Sequence, residues 1–313
     1  MQGATGFNPA RDIPSLTGKV VLVTGGTAGL GAASVQALAP HNPTHIYFTG
    51  RNVSAADSLI SEIKGKHPSA ALSFIELDLS SLRSVKEGLA NGFKHDRLDI
   101  LMNNAGIIAK PAILSKDGYE IQFATNHLGH AMLTKELLPY LLAAAETPGA
   151  DVRVVSNTSD GYAFHRMIKG AISFSELGST MSRTMLGPWI RYGQSKLANI
   201  LFASELARRY PNITSVSVHP GVVNTPMNTE MKGFNKAFVD FTTWLARIPK
   251  WEPDQGVLSQ LWCAAGAKQG ELRNGGFYRP VGVDQWETLT KEAKDEKLAK
   301  ELWEWTEGAL SKF

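Results

Sequence analysis

The sequence has little cysteine, no long hydrophobic run and no large excess of charge of one sign. Cys263 is the only cysteine among the 313 residues, which excludes an intrachain disulfide. The longest apolar stretch, residues 137–145, is far shorter than the roughly 20 residues that span a bilayer. Residues 1–16 contain no apolar core typical of a secretion signal, so we expect a cytoplasmic protein.

The charge balance argues against one broad class of partner. Lys and Arg number 32 and Asp and Glu 29, giving a net charge of +3, whereas a dedicated nucleic-acid binder carries a marked basic excess. Hydrophobic residues make up 43% of the chain, enough for a substantial core. We therefore expect a folded protein with a small-molecule partner rather than a nucleic acid.

Short β-branched and apolar runs alternate with helical patterns along the first two thirds of the chain. The predicted strands are residues 19–24, 44–49, 72–77, 98–103, 152–156 and 213–219. The predicted helices are residues 30–39, 55–64, 82–92, 118–145 and 190–210. This alternation predicts one α/β domain over residues 1–313, with a doubly wound parallel sheet of about seven strands and helices on both faces.

Two long segments interrupt the alternation, residues 161–191 and 226–253. Both follow strands at their carboxyl ends, where open α/β sheets hold ligands, so we expect them to form walls or lids of a substrate pocket. The second contains aromatic and aliphatic residues at helical spacing from Phe234 to Ile248. A lid over an apolar pocket is the preferred interpretation, and a helix lying on a membrane surface is the alternative.

A glycine-rich turn follows the first predicted strand and opens a helix. Its glycines are Gly25, Gly29 and Gly31. Such glycines let backbone N–H groups approach a pyrophosphate at a helix N-terminus, although an ordinary tight turn is the simpler interpretation. The order of strand, turn and helix favours a dinucleotide site.

The end of the second predicted strand bears on which dinucleotide binds. An NAD site places a carboxylate roughly 20 residues past the glycines, but this chain has no Asp or Glu between Ala32 and Ala56. Gly50 stands at the corresponding position and Arg51 follows it. A guanidinium binds a 2′-phosphate and a carboxylate repels it, so the sequence predicts NADP(H) over NAD(H).

Tyr192 and Lys196 form a Y-x-x-x-K pattern in a predicted helix. The spacing places both side chains on one helix face, where an ammonium favours the phenolate and lowers the pKa of the phenol. A Tyr with a Lys one turn later is also common on solvated helices. Taken alone, the pair is therefore weak evidence for a catalytic site.

The combination of motifs resembles the short-chain dehydrogenase/reductase family over residues 18–278. The motifs are the glycine turn, Asp78-Leu79, Asn103-Asn104-Ala105-Gly106, Asn126, Ser159, Tyr192 with Lys196, and Pro220-Gly221. The segments 126–130, 195–199 and 219–221 are most similar to the branch of retinol dehydrogenases and related alcohol dehydrogenases. The resemblance implies a Rossmann-type fold and nicotinamide-dependent oxidoreduction.

The resemblance also assigns catalytic roles. Tyr192 exchanges a proton with the substrate oxygen, and Lys196 holds the nicotinamide ribose and biases Tyr192 toward phenolate. Ser159 bonds the carbonyl oxygen, with Thr158 as the alternative hydroxyl. Asn126 positions a water in a proton relay.

The resemblance further implies a set of cofactor contacts, together with Tyr192 and Lys196. Asp78 is expected at the adenine, and residues 104–106 along the adenosine and the nicotinamide ribose. The full set is Gly25, Thr27, Ala28, Gly29, Leu30, Gly31, Arg51, Asn52, Asp78, Leu79, Asn104, Ala105, Gly106, Pro220, Gly221, Val223 and Thr225.

These observations lead to one main hypothesis, an NADPH-dependent oxidoreductase that interconverts a lipophilic ketone or aldehyde and its alcohol. The alternatives are a catalytically silent NADP-sensing protein and an alcohol dehydrogenase working at a membrane surface. The expected assembly is a monomer or a homodimer. His127 and His130 lie three residues apart, but no third ligand lies near them, so we predict packed helix histidines and no metal site.

Overall fold

A computed structural model of the chain describes residues 4, 6–182, 185–224, 233, 235–237 and 250–313. Residues 225–232, 234 and 238–249 lie outside this set. The predictions for Thr225 and for most of the segment from Phe234 to Ile248 therefore fall outside the described residues.

The described strands form one large sheet and one small one. They are β1 Val20–Thr24, β2 His45–Gly50, β3 Leu72–Glu76, β4 Ile100–Asn103, β5 Arg153–Asn157, β6 Thr214–Val218, β7 Val222–Val223, β8 Lys250–Trp251, β9 Phe277–Arg279 and β10 Val283–Asp284. The large sheet has the order β10-β9-β6-β5-β4-β1-β2-β3, and β7 pairs only with β8.

Helices connect most of these strands. They are α1 Pro9–Asp12, α2 Gly29–Leu38, α3 Val53–Lys66, α4 Leu82–Gly92, α5 Ile121–Phe123, α6 Gly129–Ala145, α7 Gly187–Arg209, α8 Pro253–Leu261 and α9 Glu296–Leu310. Two π-helical turns, Ala124–Leu128 and Trp262–Gly266, adjoin α6 and α8. Short 3-10 helices include Ala39–His41, Asp160–Met167, Phe174–Glu176, Trp286–Thr288 and Glu292–Lys294.

The doubly wound parallel sheet is confirmed, but the large sheet has eight strands rather than seven. Its pairs are parallel except β10 with β9. At two residues, β10 is too short to produce a hydrophobic alternation, so no local pattern predicts it. The strand order reverses between β1 and β4, which puts the switch point of the sheet at the glycine turn.

Side chains alternate between the two faces of the sheet, and each face has its own core. Val20 and Leu22 pack in one hydrophobic cluster, and Val21 and Val23 pack in the other. Helices α4, α6, α7 and α9 contribute to the first cluster, and α2, α3 and α8 to the second. The prediction of helices on both faces is thereby confirmed.

The C-terminal helix α9 packs against α7 and the α6 region. Trp303 stacks on Phe202 with ring centroids 5.0 Å apart. His127 Nε2 lies 2.9 Å from Thr306 Oγ1. These contacts join residues far apart in the chain, and local patterns did not point to them.

Helix α7 begins at Gly187, earlier than expected. The first insert, predicted over residues 161–191, therefore ends before Gly187. Pro188 lies in the first turn of α7, a position that proline favours. Among the described residues, no helix has both the length and the apolar character required to cross a membrane.

Candidate active site

The glycine turn is closed by contacts that tolerate no side chain at its inner positions. Gly25 and Gly29 have φ values of +67° and +52°, which glycine adopts at little cost. A Cβ on Gly31 would lie 2.1 Å from the carbonyl oxygen of Gly25, and one on Gly26 would lie 2.5 Å from Phe48 Cβ. Strand, turn and helix are therefore packed backbone against backbone.

The N-terminus of α2 has no side-chain cap. Ala28 stands at the N-cap position and makes no side-chain hydrogen bond, so the first N–H groups of the helix receive no cap from it. Leu30 and Val223 both approach Gly256, where an added Cβ would be 3.1 Å and 2.4 Å from their methyl carbons. The structure thus brings two of the predicted cofactor residues, Leu30 and Val223, together.

The end of β2 lies beside the glycine turn. A Cβ on Gly50 would be 3.1 Å from the side chain of Thr27. Arg51 is exposed, and no hydrogen bond or ion pair to the described residues engages it. Asn52 caps α3 by accepting a hydrogen bond from Ala55 N at 3.0 Å. The guanidinium is therefore available at the edge of the turn.

The end of β4 is bonded directly to β1. Thr24 Oγ1 accepts hydrogen bonds from the backbone N–H groups of Asn104 and Ala105 at 2.9 and 3.0 Å. Asn104 Nδ2 donates to Thr24 O at 2.8 Å. These bonds fix the start of the 104–106 segment against the glycine turn.

A buried amide network extends this connection, and sequence reasoning missed it. Asn157 Nδ2 donates to Gln260 Oε1 at 2.6 Å and to Asn104 Oδ1 at 3.1 Å. Gln260 Nε2 donates to Ser34 Oγ at 2.6 Å. Gln260 thus joins α8 to α2, the helix that follows the glycine turn. Its 103 residues of separation from Asn157 leave no local signal.

Asp78 and Leu79 follow β3, as predicted. Asp78 Oδ1 accepts from the Ser80 N–H at 2.9 Å and from the Ser80 hydroxyl at 2.7 Å. Leu79 is buried, and its carbonyl lies so close to Gly129 that a Cβ there would be 2.3 Å away. The Asp78 carboxylate is therefore held in a local turn.

Tyr192 and Ser159 come together at the carboxyl edge of the sheet. Tyr192 is 5% exposed, and the Ser159 side chain lies near enough to its phenol to act on its pKa. Gly161 lies against both, since a Cβ there would be 2.9 Å from the tyrosine ring and 3.4 Å from Ser159 Oγ. Thr158 turns away and donates to Lys196 O at 2.7 Å. Ser159 is therefore the hydroxyl that meets the phenol.

Lys196 is buried on the same face of α7. Its ammonium lies 5.8 Å from the centroid of the Tyr192 ring and donates to Asn157 O at 3.2 Å. Burial lowers the pKa of Lys196 to about 8. The expectation that Lys196 and a bound nicotinamide together lower the pKa of Tyr192 concerns the protein with its cofactor. In the chain by itself burial raises that pKa to about 12, opposed by the nearby Ser159 side chain, because removal from water disfavours the phenolate.

Asn126 lies in the π-helical turn that joins α5 to α6. Its Oδ1 accepts from Ile107 N at 2.8 Å, and its Nδ2 donates to Ile107 O at 3.0 Å and to Ser195 Oγ at 2.9 Å. Single π-helical turns occur often at functional sites. Here the side chain links the loop after β4 to the helix that carries Tyr192.

The segment after β6 borders the same edge. Gly221 has a φ of +92°, and Val222–Val223 pairs with Lys250–Trp251. His219 Nε2 lies 3.4 Å from Asp160 Oδ2, and burial lowers the pKa of its imidazole. These contacts connect the segment that contains Pro220 to Ser159, the residue before Asp160.

The other singled-out polar residues have packing roles. His130 Nε2 lies 2.9 Å from Thr24 Oγ1. Burial lowers the pKa of His127 to about 3 and that of His130 to about 4, so both rings are neutral. Cys263 is buried, and burial raises the pKa of its thiol, so it remains protonated.

Comparison with known proteins agrees with this geometry. The profile of the short chain dehydrogenase family matches residues 19–171. A short-chain dehydrogenase/reductase of Armillaria gallica is 38% identical over 303 residues, covering 95% of this chain and 91% of that protein. The chain belongs to the short-chain dehydrogenase/reductase family. It is therefore an NAD(P)-dependent oxidoreductase acting on small molecules.

Three further comparisons bear on the branch and the fold of this short-chain dehydrogenase/reductase. Human retinol dehydrogenase 11 is 32% identical and covers 92% of the chain and 85% of that protein, which confirms the retinol-dehydrogenase-like branch. A crystal structure from Mycobacterium paratuberculosis is 30% identical, covers 98% of each chain and has a TM-score of 0.72. The NADPH-bound carbonyl reductase from chicken fatty liver, at 22% identity, covers 83% of this chain and 96% of that one. Its TM-score of 0.58 supports the fold alone.

Proposed function

We propose that the protein is an NADPH-dependent oxidoreductase that interconverts a lipophilic ketone or aldehyde and its alcohol, with Tyr192 as the proton donor and acceptor. The observation that carries the proposal is the buried Tyr192 with Ser159 and Lys196 beside it. A phenol, a hydroxyl and an ammonium meet at the carboxyl edge of the sheet, where ligands bind in this class of fold.

The residues present fit a dinucleotide. Ala28 provides no cap to α2, so the helix N-terminus retains N–H groups for a pyrophosphate. Lys196 Nζ donates to Asn157 O, which leaves donor capacity for ribose hydroxyls. Arg51 is exposed at the end of β2, where a 2′-phosphate would find its guanidinium. Arg51 is the basis for proposing NADP(H) over NAD(H).

The protonation states favour carbonyl reduction. When bound, the nicotinamide cofactor supplies the hydride. With its pKa raised to about 12, Tyr192 is a neutral phenol at physiological pH and can donate its proton to the carbonyl oxygen. Ser159 holds the phenol, and the mostly protonated Lys196, with a pKa of about 8, stabilises the phenolate that remains.

The surroundings of Tyr192 support a lipophilic substrate. Trp189 packs edge-on to the Tyr192 ring at a centroid separation of 6.5 Å, and Phe164 packs on Trp189 at 5.9 Å. Elsewhere, Met167 of the first insert and Ile113 of the loop after β4 are each 50% exposed. Apolar side chains of this kind suit an uncharged, greasy substrate better than a sugar or an acid.

The first experiment follows NADPH oxidation with a panel of lipophilic ketones and aldehydes. Tyr192→Phe should reduce kcat by about 10³-fold without changing NADPH affinity, because it removes the proton donor alone. Tyr210→Phe, a change at the end of the same helix, is the matched control and should keep wild-type turnover.

Two outcomes would contradict the proposal. Full turnover in Tyr192→Phe would refute the assignment of the proton donor. NADPH binding without oxidation by any carbonyl of the panel would favour the NADP-sensing alternative.

A further inference from the structure

Arg191 precedes Tyr192 on α7 and is fully buried. Its side chain is 2% exposed, and it is the largest of the fully buried side chains among the described residues. Burying a guanidinium is costly unless charge and hydrogen bonds compensate for the lost water. The hydrogen-bond and charge partners of Arg191 therefore indicate which role the buried guanidinium has.

The hydrogen bonds of Arg191 go to backbone carbonyls of two separate segments. Nη1 donates to Met181 O at 3.1 Å, at the end of the described part of the first insert. Nη2 donates to Lys110 O at 2.8 Å, in the loop that follows β4. One planar group thus fixes both segments to the helix that carries the phenol.

The charge partner of Arg191 is Glu120, which is itself buried. Arg191 Nε lies 3.2 Å from Glu120 Oε1, and within the described part of the chain neither atom has a hydrogen-bond partner of proper geometry. Burial raises the pKa of Glu120, opposed by the backbone N–H of Phe123 and by the charge of Arg191, both of which favour the carboxylate. Glu120 is thus the charge partner of Arg191, whereas the carbonyls of Met181 and Lys110 determine where the guanidinium lies.

Both tethered segments have backbone strain at the point of attachment. Met181 has a φ of +46° and Ala109, next to Lys110, has a φ of +50°, the left-handed region that side chains disfavour. Such conformations persist where surrounding contacts hold them. The Arg191 hydrogen bonds supply such contacts.

A second residue on α7 holds the same insert. Gln194 Nε2 donates to Met181 Sδ at 2.9 Å, and Gln194 Oε1 accepts from Ser173 N at 3.3 Å. The same loop after β4 is held near its start by Asn126, through Ile107. Polar contacts thus hold the first insert against α7, the helix that carries Tyr192, and hold the loop after β4 against Asn126.

We infer that Arg191, charge-compensated by Glu120, is a positioning residue that sets the shape of the substrate pocket by fixing the first insert and the loop after β4 relative to Tyr192. The inference rests on the proposed function for its kinetic consequence. It predicts that loss of Arg191 affects substrate recognition and leaves proton transfer and cofactor binding nearly intact.

The decisive test is the double substitution Arg191→Met with Glu120→Gln. It removes both buried charges at similar volume, and the glutamine oxygen can still accept from Phe123 N, as Glu120 does at 2.7 Å. We expect thermal stability near that of wild type, because apolar replacement of a buried pair is often neutral. KM should nevertheless rise about tenfold with kcat and NADPH affinity within about twofold, because methionine cannot hold the two carbonyls.

Two single variants sharpen the result. Arg191→Lys keeps the charge but loses the fork that reaches two acceptors, so it should raise KM and flatten the discrimination between bulky and small ketones. Arg208→Lys is the matched control, because Arg208 lies on the same helix and pairs with Glu205 at the far end. It should behave as wild type.

Hydrogen exchange on the full-length protein gives a readout that does not require turnover. Amides at 173–182 and 107–113 should exchange faster in the double variant and in Arg191→Lys. In the control Arg208→Lys their exchange rates should be unchanged. If wild type reduces no carbonyl, the proposed function fails, and this measurement still decides the inference. Wild-type KM together with wild-type exchange in the double variant would overturn it.

Discussion

The side of the protein around the glycine turn and the side around α7 are held in place by different kinds of contact. Around the glycine turn, precision comes from backbone packed on backbone, as at Gly31 against the Gly25 carbonyl. Around α7, it comes from buried polar side chains, among them Tyr192 and Lys196. The first side should therefore be sensitive to added atoms, and the second to charge and pH.

Lys196 gives the largest expected effect. Lys196→Met removes the ammonium beside Tyr192 and should lower kcat by roughly 10²–10³-fold, since stabilisation of the phenolate is lost. The melting temperature should not fall, because the substitution also removes a buried charge that burial disfavours. Steady-state kinetics and thermal unfolding check the two parts, and a large loss of stability with intact turnover would contradict them.

The same residue predicts a pH dependence. The pKa of Lys196 is about 8 in the folded protein against an ordinary 10.5, so the unfolded chain binds more protons between these values. The contribution of Lys196 to stability should therefore rise with pH across that window, while the rate of carbonyl reduction falls above about 8 as the amine loses its proton. Denaturant unfolding and kcat/KM against pH measure both, with Lys196→Met as the variant that should lack these trends.

An intermediate effect is expected from one methyl group in the turn. Gly31→Ala places a Cβ 2.1 Å from the Gly25 carbonyl, so the turn must shift. We expect a loss of about 1–3 kcal/mol in the free energy of unfolding and weaker NADPH binding at every pH. Gly65→Ala on α3 is the control, since nothing lies within 4 Å of its Cβ, and it should leave binding unchanged. If the two variants had equal stability and equal NADPH affinity, the side around the glycine turn would not be sensitive to added atoms, contrary to the comparison above.

The smallest effect is expected for Arg51, the charged residue that we assign to the side around the glycine turn. Arg51→Ala should weaken NADPH binding about tenfold and leave NADH binding unchanged, because only the former carries a 2′-phosphate. Arg83→Ala, another exposed arginine, is the control. Titration of each variant with both coenzymes at matched salt measures the effect, and parallel losses for NADPH and NADH would remove Arg51 from the 2′-phosphate site.

Sequence reasoning recovered strands β1 to β6 and the order of the motifs because these are local. The run 19–24 became Val20–Thr24, and residues 82–92 became helix α4 with the same bounds. It did not recover β9 and β10, because strands of three and two residues carry no period, nor α8 and α9, although a capping box begins α8 and Asp295 caps α9. The burial that raises the pKa of Tyr192 in the chain by itself is set by the whole fold and is not a local property of the sequence.

The amino-acid order alone determined the alternation of strands and helices, the glycine turn and the spacing of Tyr192 and Lys196, since each depends on residues within one or two turns of chain. Tertiary structure alone decided that Thr158 donates to the Lys196 carbonyl, that Gln260 joins the amide network and that Arg191 holds two distant segments. These contacts join residues that the chain separates widely, and only packing brings them within hydrogen-bond distance.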